Sequence, residues 1–392
     1  MKHFVTSRNY ILVALGRSAL MFINGFLIWY LPLSIGKAFN VKILGLTYSA
    51  ASLVSIVIGF LGGLLSDSIG RKLVIIMDSV LTLLGVLFFV LGYLTSPILL
   101  LLSALVLYGF ARIGDAAIEA TIYESVNEQF LGRAISIMFT VGAIAASVGS
   151  IILGNMIRHN IELAVMLLII SSSMYVLASI FLKETIIRRR KVKRVGMLQK
   201  LKEIIRNFVR GFYLARVGLL LPLIITVLMS FEVGSTFYLY PTFMRKIKDF
   251  TEATISVVYG AIPLLQTMVY PFAGIVVDKL GARRSAFITL FLQAVAVACF
   301  IVLTEPVYAG LALVTASGIG AIYNVAYRTL VIGRAPEESR ATGIALINTT
   351  WDIVQTIAPT IGALLWTINP YLPFYLAVTL LYTAALTTLL IK

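Results

Sequence analysis

Twelve stretches of this chain are apolar over about twenty residues or more, and they leave few choices of fold. They cover 10–36, 43–66, 72–95, 97–125, 133–157, 161–182, 217–244, 252–277, 284–304, 306–333, 340–367 and 371–391. A helix needs about 20 residues to cross the hydrocarbon core, and its backbone polar groups are satisfied within the segment. Barrel strands are shorter and alternate in polarity, so helices are the spanning element that fits. The sequence therefore predicts an all-α integral membrane protein with about twelve transmembrane helices. Composition agrees. Hydrophobic residues make up 60% and charged residues 12%, where a soluble domain is nearer half and a quarter. In water such a chain would expose large apolar patches. The start, MKHFVTSRNY, enters the first run without an A-x-A exit, so no cleaved signal peptide is expected.

The basic residues set the expected orientation. With the N-terminus cytoplasmic, 23 cations fall on the cytoplasmic side and six on the other; without the long central loop the bias is still 11 to six. Both termini are expected in the cytoplasm, in the cell membrane. The net charge of +15 is mostly this bias, so no nucleic-acid partner is expected. The single cysteine, Cys299, excludes an internal disulfide. His3 and His159 lie outside the apolar runs, which argues against an intramembrane histidine relay; no metal and no cofactor are expected.

The polar stretch 184–216 divides the chain into two expected six-helix units, 1–183 and 217–392. Within it Met197, Leu201, Ile204, Phe208 and Phe212 recur at helical spacing between Lys200, Lys202, Arg206 and Arg210. The pattern suits an amphipathic helix on anionic lipid near 188–216, and equally a solvated linker. The halves resemble each other. Asp67 and Asp278 are 211 apart, and Arg133 and Arg340 are 207 apart. Two landmarks at nearly one offset indicate a parallel repeat about an axis along the membrane normal.

On these residues the chain resembles the major facilitator superfamily of transporters. The family's signature between its second and third helices, G-x-L-x-D-x-x-G-R-K, is met by Gly63, Leu65, Asp67, Gly70, Arg71 and Lys72. A second copy keeps Gly274, Asp278, Gly281 and Arg283, with Ala282 in place of the first Arg. Gly70 permits a tight turn, Arg71 and Lys72 suit the headgroup level, and Gly63 is expected to let a helix approach closely. Asp67 sits where a carboxylate caps a helix or pairs with Arg. The resemblance implies a latch that holds the cytoplasmic side closed. The family's Gly–Pro antiporter pattern in its fifth helix is not met, because 141–154 has the small residues without a Pro.

Charges inside the runs mark the expected site. Each costs about 2.5–3.5 kcal/mol at mid-helix on insertion scales, so it needs a partner or water. In a continuous fourth helix, Arg112, Asp115 and Glu119 would share one face with Tyr108. The resemblance implies a proton-coupling role for a fourth-helix Arg, and that helices 1, 4, 7 and 10 line the cavity. It also implies that helices 2, 5, 8 and 11 flank the cavity, and the candidates are Arg17, Asn24, Arg112, Asp115, Glu119, Glu232, Asn324 and Tyr327 on the lining helices with Asn348 and Asp352 on helix 11. Glu232 and Asp352 have no cation near in sequence and are the candidates to bind and release protons. Trp29, Tyr30, Tyr238 and Tyr240 read mostly as interface-belt residues, with one or two available for an outer gate.

The expected function is alternating-access transport of a small organic solute, with proton-coupled efflux of a cationic or neutral compound ahead. Uptake of a sugar or organic acid, by symport or facilitation, and a non-transporting sensor are the competing readings. Neither a zinc-protease nor a hydrolase signature is present, and no P-loop, so neither an enzyme nor an ATP-driven pump is expected. The partners expected are the solute, protons and the lipid bilayer, and the chain is expected to act as a monomer.

Overall fold

The computed structural model describes residues 7–185, 206, 219–334 and 340–391. The proposed amphipathic helix between residues 197 and 212 lies outside these residues, except for Arg206. Fourteen α-helices are described: α1 (Arg8–Ala38), α2 (Val41–Ile69), α3 (Arg71–Leu94), α4 (Ile98–Tyr108), α5 (Asp115–Ser125), α6 (Leu131–His159), α7 (Ile161–Ile180), α8 (Leu220–Thr236), α9 (Tyr240–Lys246), α10 (Glu252–Leu280), α11 (Ala282–Val302), α12 (Pro306–Arg334), α13 (Arg340–Ile368) and α14 (Leu372–Leu390). Ten spans, with Ile98–Ser125 taken as one, are long and apolar enough to cross a membrane; α8 and α9, bent by 43°, make an eleventh. The remaining long helix, α13, has 29 residues. Its middle carries Asn348, Asp352 and Gln355, which is the polarity expected of a helix facing water.

The repeat is visible in the packing. In the first half α1 packs on α6 and α7, α3 on α4 and α7, and α2 on α4. In the second, α8 packs on α13 and α14, α11 on α12 and α14, and α10 on α12. Across the halves α2 meets α13 while α10 meets α6. Exchanging the halves turns each of these contacts into the other, as a two-fold axis requires. Two glycines confirm the match atom by atom. A Cβ on Gly149 of α6 would lie 2.0 Å from the Phe22 carbonyl oxygen of α1, and one on Gly362 of α13 would lie 2.0 Å from that of Ser235 in α8. Positions 149 and 362, like 22 and 235, are 213 apart. Only Gly lets these backbones touch.

The turns after α2 and α10 also repeat. Gly70 (φ 116°) and Gly281 (φ 80°) each have a positive φ, where a side chain is strained. Gly63 does not have its expected role: a Cβ there would meet only the Ala116 Cβ, at 3.9 Å. The close approach belongs to Gly62, whose Cβ would lie 2.1 Å from the Ile113 carbonyl oxygen. A Cβ on Gly274 would meet no heavy atom within 4 Å beyond its own turn of helix, so that signature glycine permits no close approach here.

Candidate transport site

The fourth span is not the continuous helix its sequence predicts. It stops at Tyr108, turns through a short 3₁₀ segment over Phe110–Arg112, and restarts at Asp115. Gly109 and Gly114 flank the break. Tyr108 therefore leaves the face of Arg112 and sets its ring 5.4 Å from Tyr48. Arg112 Nε donates to Asp115 Oδ2 at 2.7 Å across the break, with both side chains about half exposed. Glu119 is exposed further along α5. Unwound backbone at membrane depth is tolerated where it is buried in protein or lines water.

On the facing bundle, Asp352 is exposed and lies within electrostatic reach of Arg112. Asn348, one turn away on α13, is exposed too. The neighbouring strip of α13, with Ile353, Ile357 and Leu364, is exposed and apolar, as a lipid-facing strip would be. Asn324 and Arg328, one turn apart on α12, are also exposed. Asn24 is half-buried in α1. Arg17, also half-buried, sets its guanidinium 5.7 Å from the centre of the Phe139 ring.

Glu232 differs from the other carboxylates. It is 4% exposed, and among the described residues no cation lies within ion-pair distance. Tyr240 and Tyr323 are within its electrostatic reach. The adjoining α8–α13 seam is closed by Ser230 Oγ donating to the Trp351 carbonyl (2.7 Å) and Gln355 Nε2 donating to that of Ser230 (3.0 Å). Tyr327, expected to line the site, has a structural tie: its hydroxyl donates to the Pro222 carbonyl at 2.6 Å and meets Thr226 Oγ1 at 2.5 Å.

Every hydrogen bond or ion pair between the bundles, among the described residues, lies in the half remote from the termini. Lys37 Nζ meets Glu252 Oε1 at 2.5 Å. Lys246 Nζ donates to the Gly36 carbonyl at 3.2 Å. Ser49 Oγ and Thr360 Oγ1 are 2.8 Å apart. Trp29 Nε1 donates to Ser150 Oγ, which donates on to the Ser256 carbonyl at 2.8 Å. Here the four aromatics expected at the lipid interface prove to be interior. Trp29, Tyr30, Tyr238 and Tyr240 are all under 10% exposed. Tyr238 stacks on Tyr48 across the bundles and donates to the Pro359 carbonyl. They pack the closed end because their polar atoms find partners inside it.

At the opposite end, among the described residues, the hydrogen bonds of the signature residues stay within their own bundle. Arg71 Nη1 donates to Asp67 Oδ1 (2.6 Å) and Ser66 Oγ (2.7 Å), and Nη2 reaches Glu124 Oε1 at 3.4 Å. The Glu184 carboxylate takes the backbone N–H of Arg71 at 3.0 Å and of Lys72 at 3.2 Å. In the second copy Asp278 is exposed and Arg283 donates to the Leu389 carbonyl. Sequence reading missed Gly62, Glu124, Glu184 and the bonds of the closed end, which pair residues more than a hundred positions apart.

Comparison with known proteins agrees with this architecture. The family profile described as Major Facilitator Superfamily matches residues 10–359. A curated relative, the "Uncharacterized MFS-type transporter YhjO" of Bacillus subtilis (strain 168), is 33% identical over 129 residues, or 31% of this chain. The match spans about a third of that relative's length (32%). Among solved structures, a D-xylose-proton symporter superposes with TM-score 0.71 at 14% identity, covering 97% of this chain and 96% of its own. The nucleoside transporter NupG gives 0.69 at 14%, covering 98% of both. The human organic anion transporter MFSD10 (TETRAN) gives 0.66 at 16%, covering 97% of this chain and 99% of its own. At these identities the likeness is one of fold.

Proposed function

The chain belongs to the Major Facilitator Superfamily, and from that premise we propose that it is a secondary active transporter caught open toward the end that bears its termini. It is an integral membrane protein of a transporter family and not an enzyme. One observation carries the reading: among the described residues, bonds between the bundles are confined to one half, while Arg112 and Asp352 are exposed and Asp115 half-exposed toward the other. In that reading the two bundles rock about a midplane site. Closing the open end brings Asp67 and its signature neighbours against the other bundle and breaks the Lys37–Glu252 pair.

The inward charges suit proton coupling. Among the described residues Glu232 is buried with no cation within ion-pair distance, and Asp352 has Arg112 within electrostatic reach. These two are the proposed proton carriers, and the excess of carboxylates over cations suits exchange of protons for an organic cation or a neutral compound. The signature turns at 70 and 281 are the proposed gate on the termini side, with both termini in the cytoplasm of a cell-membrane protein.

The test is flux into proteoliposomes under an imposed pH gradient, using a panel of organic cations, neutral drugs, sugars and organic anions. Net exchange of a cationic or neutral compound against protons is expected. Glu232→Gln and Asp352→Asn should each lower that flux tenfold or more. Full proton-coupled flux in both variants removes the assignment. Uptake of a sugar or an acid together with protons reverses the direction but keeps the fold's mechanism.

A further inference from the structure

Asp78 has no part in the cavity. It lies in α3, 1% exposed, and a carboxyl group is costly to bury without hydrogen bonds. It has two. Tyr175 Oη of α7 donates to Oδ2 at 2.5 Å, and the Gly114 backbone N–H donates to Oδ1 at 3.1 Å. Gly114 is the residue from which α5 restarts after the break. Arg17 from α1 and Asp115 from α5 are the charged groups within electrostatic reach, and neither is within ion-pair distance among the described residues.

The surroundings are shaped to this contact. A Cβ on Gly114 would sit 2.6 Å from the Asp78 carboxyl carbon, and one on Gly16 would sit 2.8 Å from the Tyr175 ring. Beside Asp78, Ser79 Oγ and Ser179 Oγ are 2.8 Å apart and tie α3 to α7 in the same layer. Gly114 lies between Arg112 and Asp115 in the chain, so whatever holds its amide also sets the angle at which that pair reaches the cavity.

We propose that Asp78 is a positioning residue: its carboxyl group holds the break in the fourth span at Gly114 and thereby presents the Arg112–Asp115 pair to the cavity. Its importance to transport rests on the cavity reading above, but the geometry can be read without any transport.

The experiment uses the full chain with Cys299→Ser, so that one introduced thiol reports. Ala116→Cys, exposed on α5, is the reporter; Ser136→Cys, exposed on α6, is the control. Labelling rates with N-ethylmaleimide are measured on purified protein. Asp78→Ala is expected to change the rate at 116 at least fivefold and to leave 136 within twofold. Asp78→Asn, whose amide oxygen still accepts from Gly114, should return 116 to within twofold of the parent. If Asp78→Ala does not fold, Gly114→Ala presses on the same contact and should shift 116 in the same way. An unchanged rate at 116, an equal change at both sites, or an Asn variant that behaves like Ala overturns the proposal. Absence of transport in the parent with labelling as expected would instead sink the cavity reading and leave Asp78 in its role.

Discussion

The Glu184 carboxylate accepts the backbone N–H of Arg71 at 3.0 Å, so the first residue of the stretch that follows the first bundle caps the helix that starts at the signature turn. Loss of a helix cap costs about 0.5–2 kcal/mol. Glu184→Ala should destabilise the fold by that order, read as a lowered melting temperature, and speed amide exchange over 66–73, while 278–284 exchanges as before. Equal exchange in both turns would mean that the cap does not hold the first one.

The ion pair Lys37–Glu252 joins the bundles at the closed end. Partly exposed pairs are worth roughly 1 kcal/mol or less, enough to shift a two-state balance about fivefold. Lys37→Glu should move the population away from this state, and the swap Lys37→Glu with Glu252→Lys should restore it. Spin labels at 116 and 345, across the open end, read the change as a shortened distance.

Gly149 and Gly362 should be equally intolerant of a methyl group. Each would drive a Cβ to 2.0 Å from a carbonyl oxygen, and overpacking of this kind costs about 1–3 kcal/mol. Gly149→Ala and Gly362→Ala should lower the melting temperature alike. Gly274→Ala, with nothing within 4 Å, should leave it unchanged or raise it slightly. A tolerant Gly362 would break the two-fold correspondence.

Lys248, in the loop after α9, donates to the carbonyls of Ile301 (2.5 Å) and Leu303 (2.6 Å) at the end of α11. Burial pushes its pKa below the ordinary 10.5. Between the lowered value and 10.5 the unfolded chain holds the proton more firmly than the folded one, so stability rises with pH across that window. Lys248→Met should remove this slope, read as the difference between the two proteins' melting temperatures, and should destabilise through the two abandoned carbonyls.

Much of the fold was legible in the sequence because lipid imposes it. Run lengths placed the helices within a few residues, and the 211-residue offset announced the turns at Gly70 and Gly281. Of the charged residues picked out for the site, Arg112, Glu119 and Asp352 are exposed and Asp115 is half-exposed, whereas Arg17 is half-buried and Glu232 is buried. What escaped has physical reasons. The break at 109–114 contains no proline, and its glycines look like packing glycines until Asp78 is seen against Gly114. Tyr238 and Trp29 have the composition of a belt, and only burial tells a plug from a belt. Tyr327 looked free because its partner Pro222 lies on another helix. Adjacent Gly62 and Gly63 are equivalent in sequence, and one helical step of 100° decides which of them faces Ile113.

That the bundles are bonded, among the described residues, in one half alone has an electrical corollary. In the proposed open state, water entering from the side of the termini would carry the potential of its own compartment inward to Arg112 and Asp115. Almost the whole transmembrane voltage then drops across the sealed half, a layer much thinner than the bilayer. When the seal changes sides, the same charges find themselves at the opposite potential without having travelled far. Each unit of net charge so transferred is worth about 2.3 kcal/mol per 100 mV, so under the proposed proton coupling the protonation of Glu232 and Asp352 would set whether membrane voltage assists the turnover or opposes it.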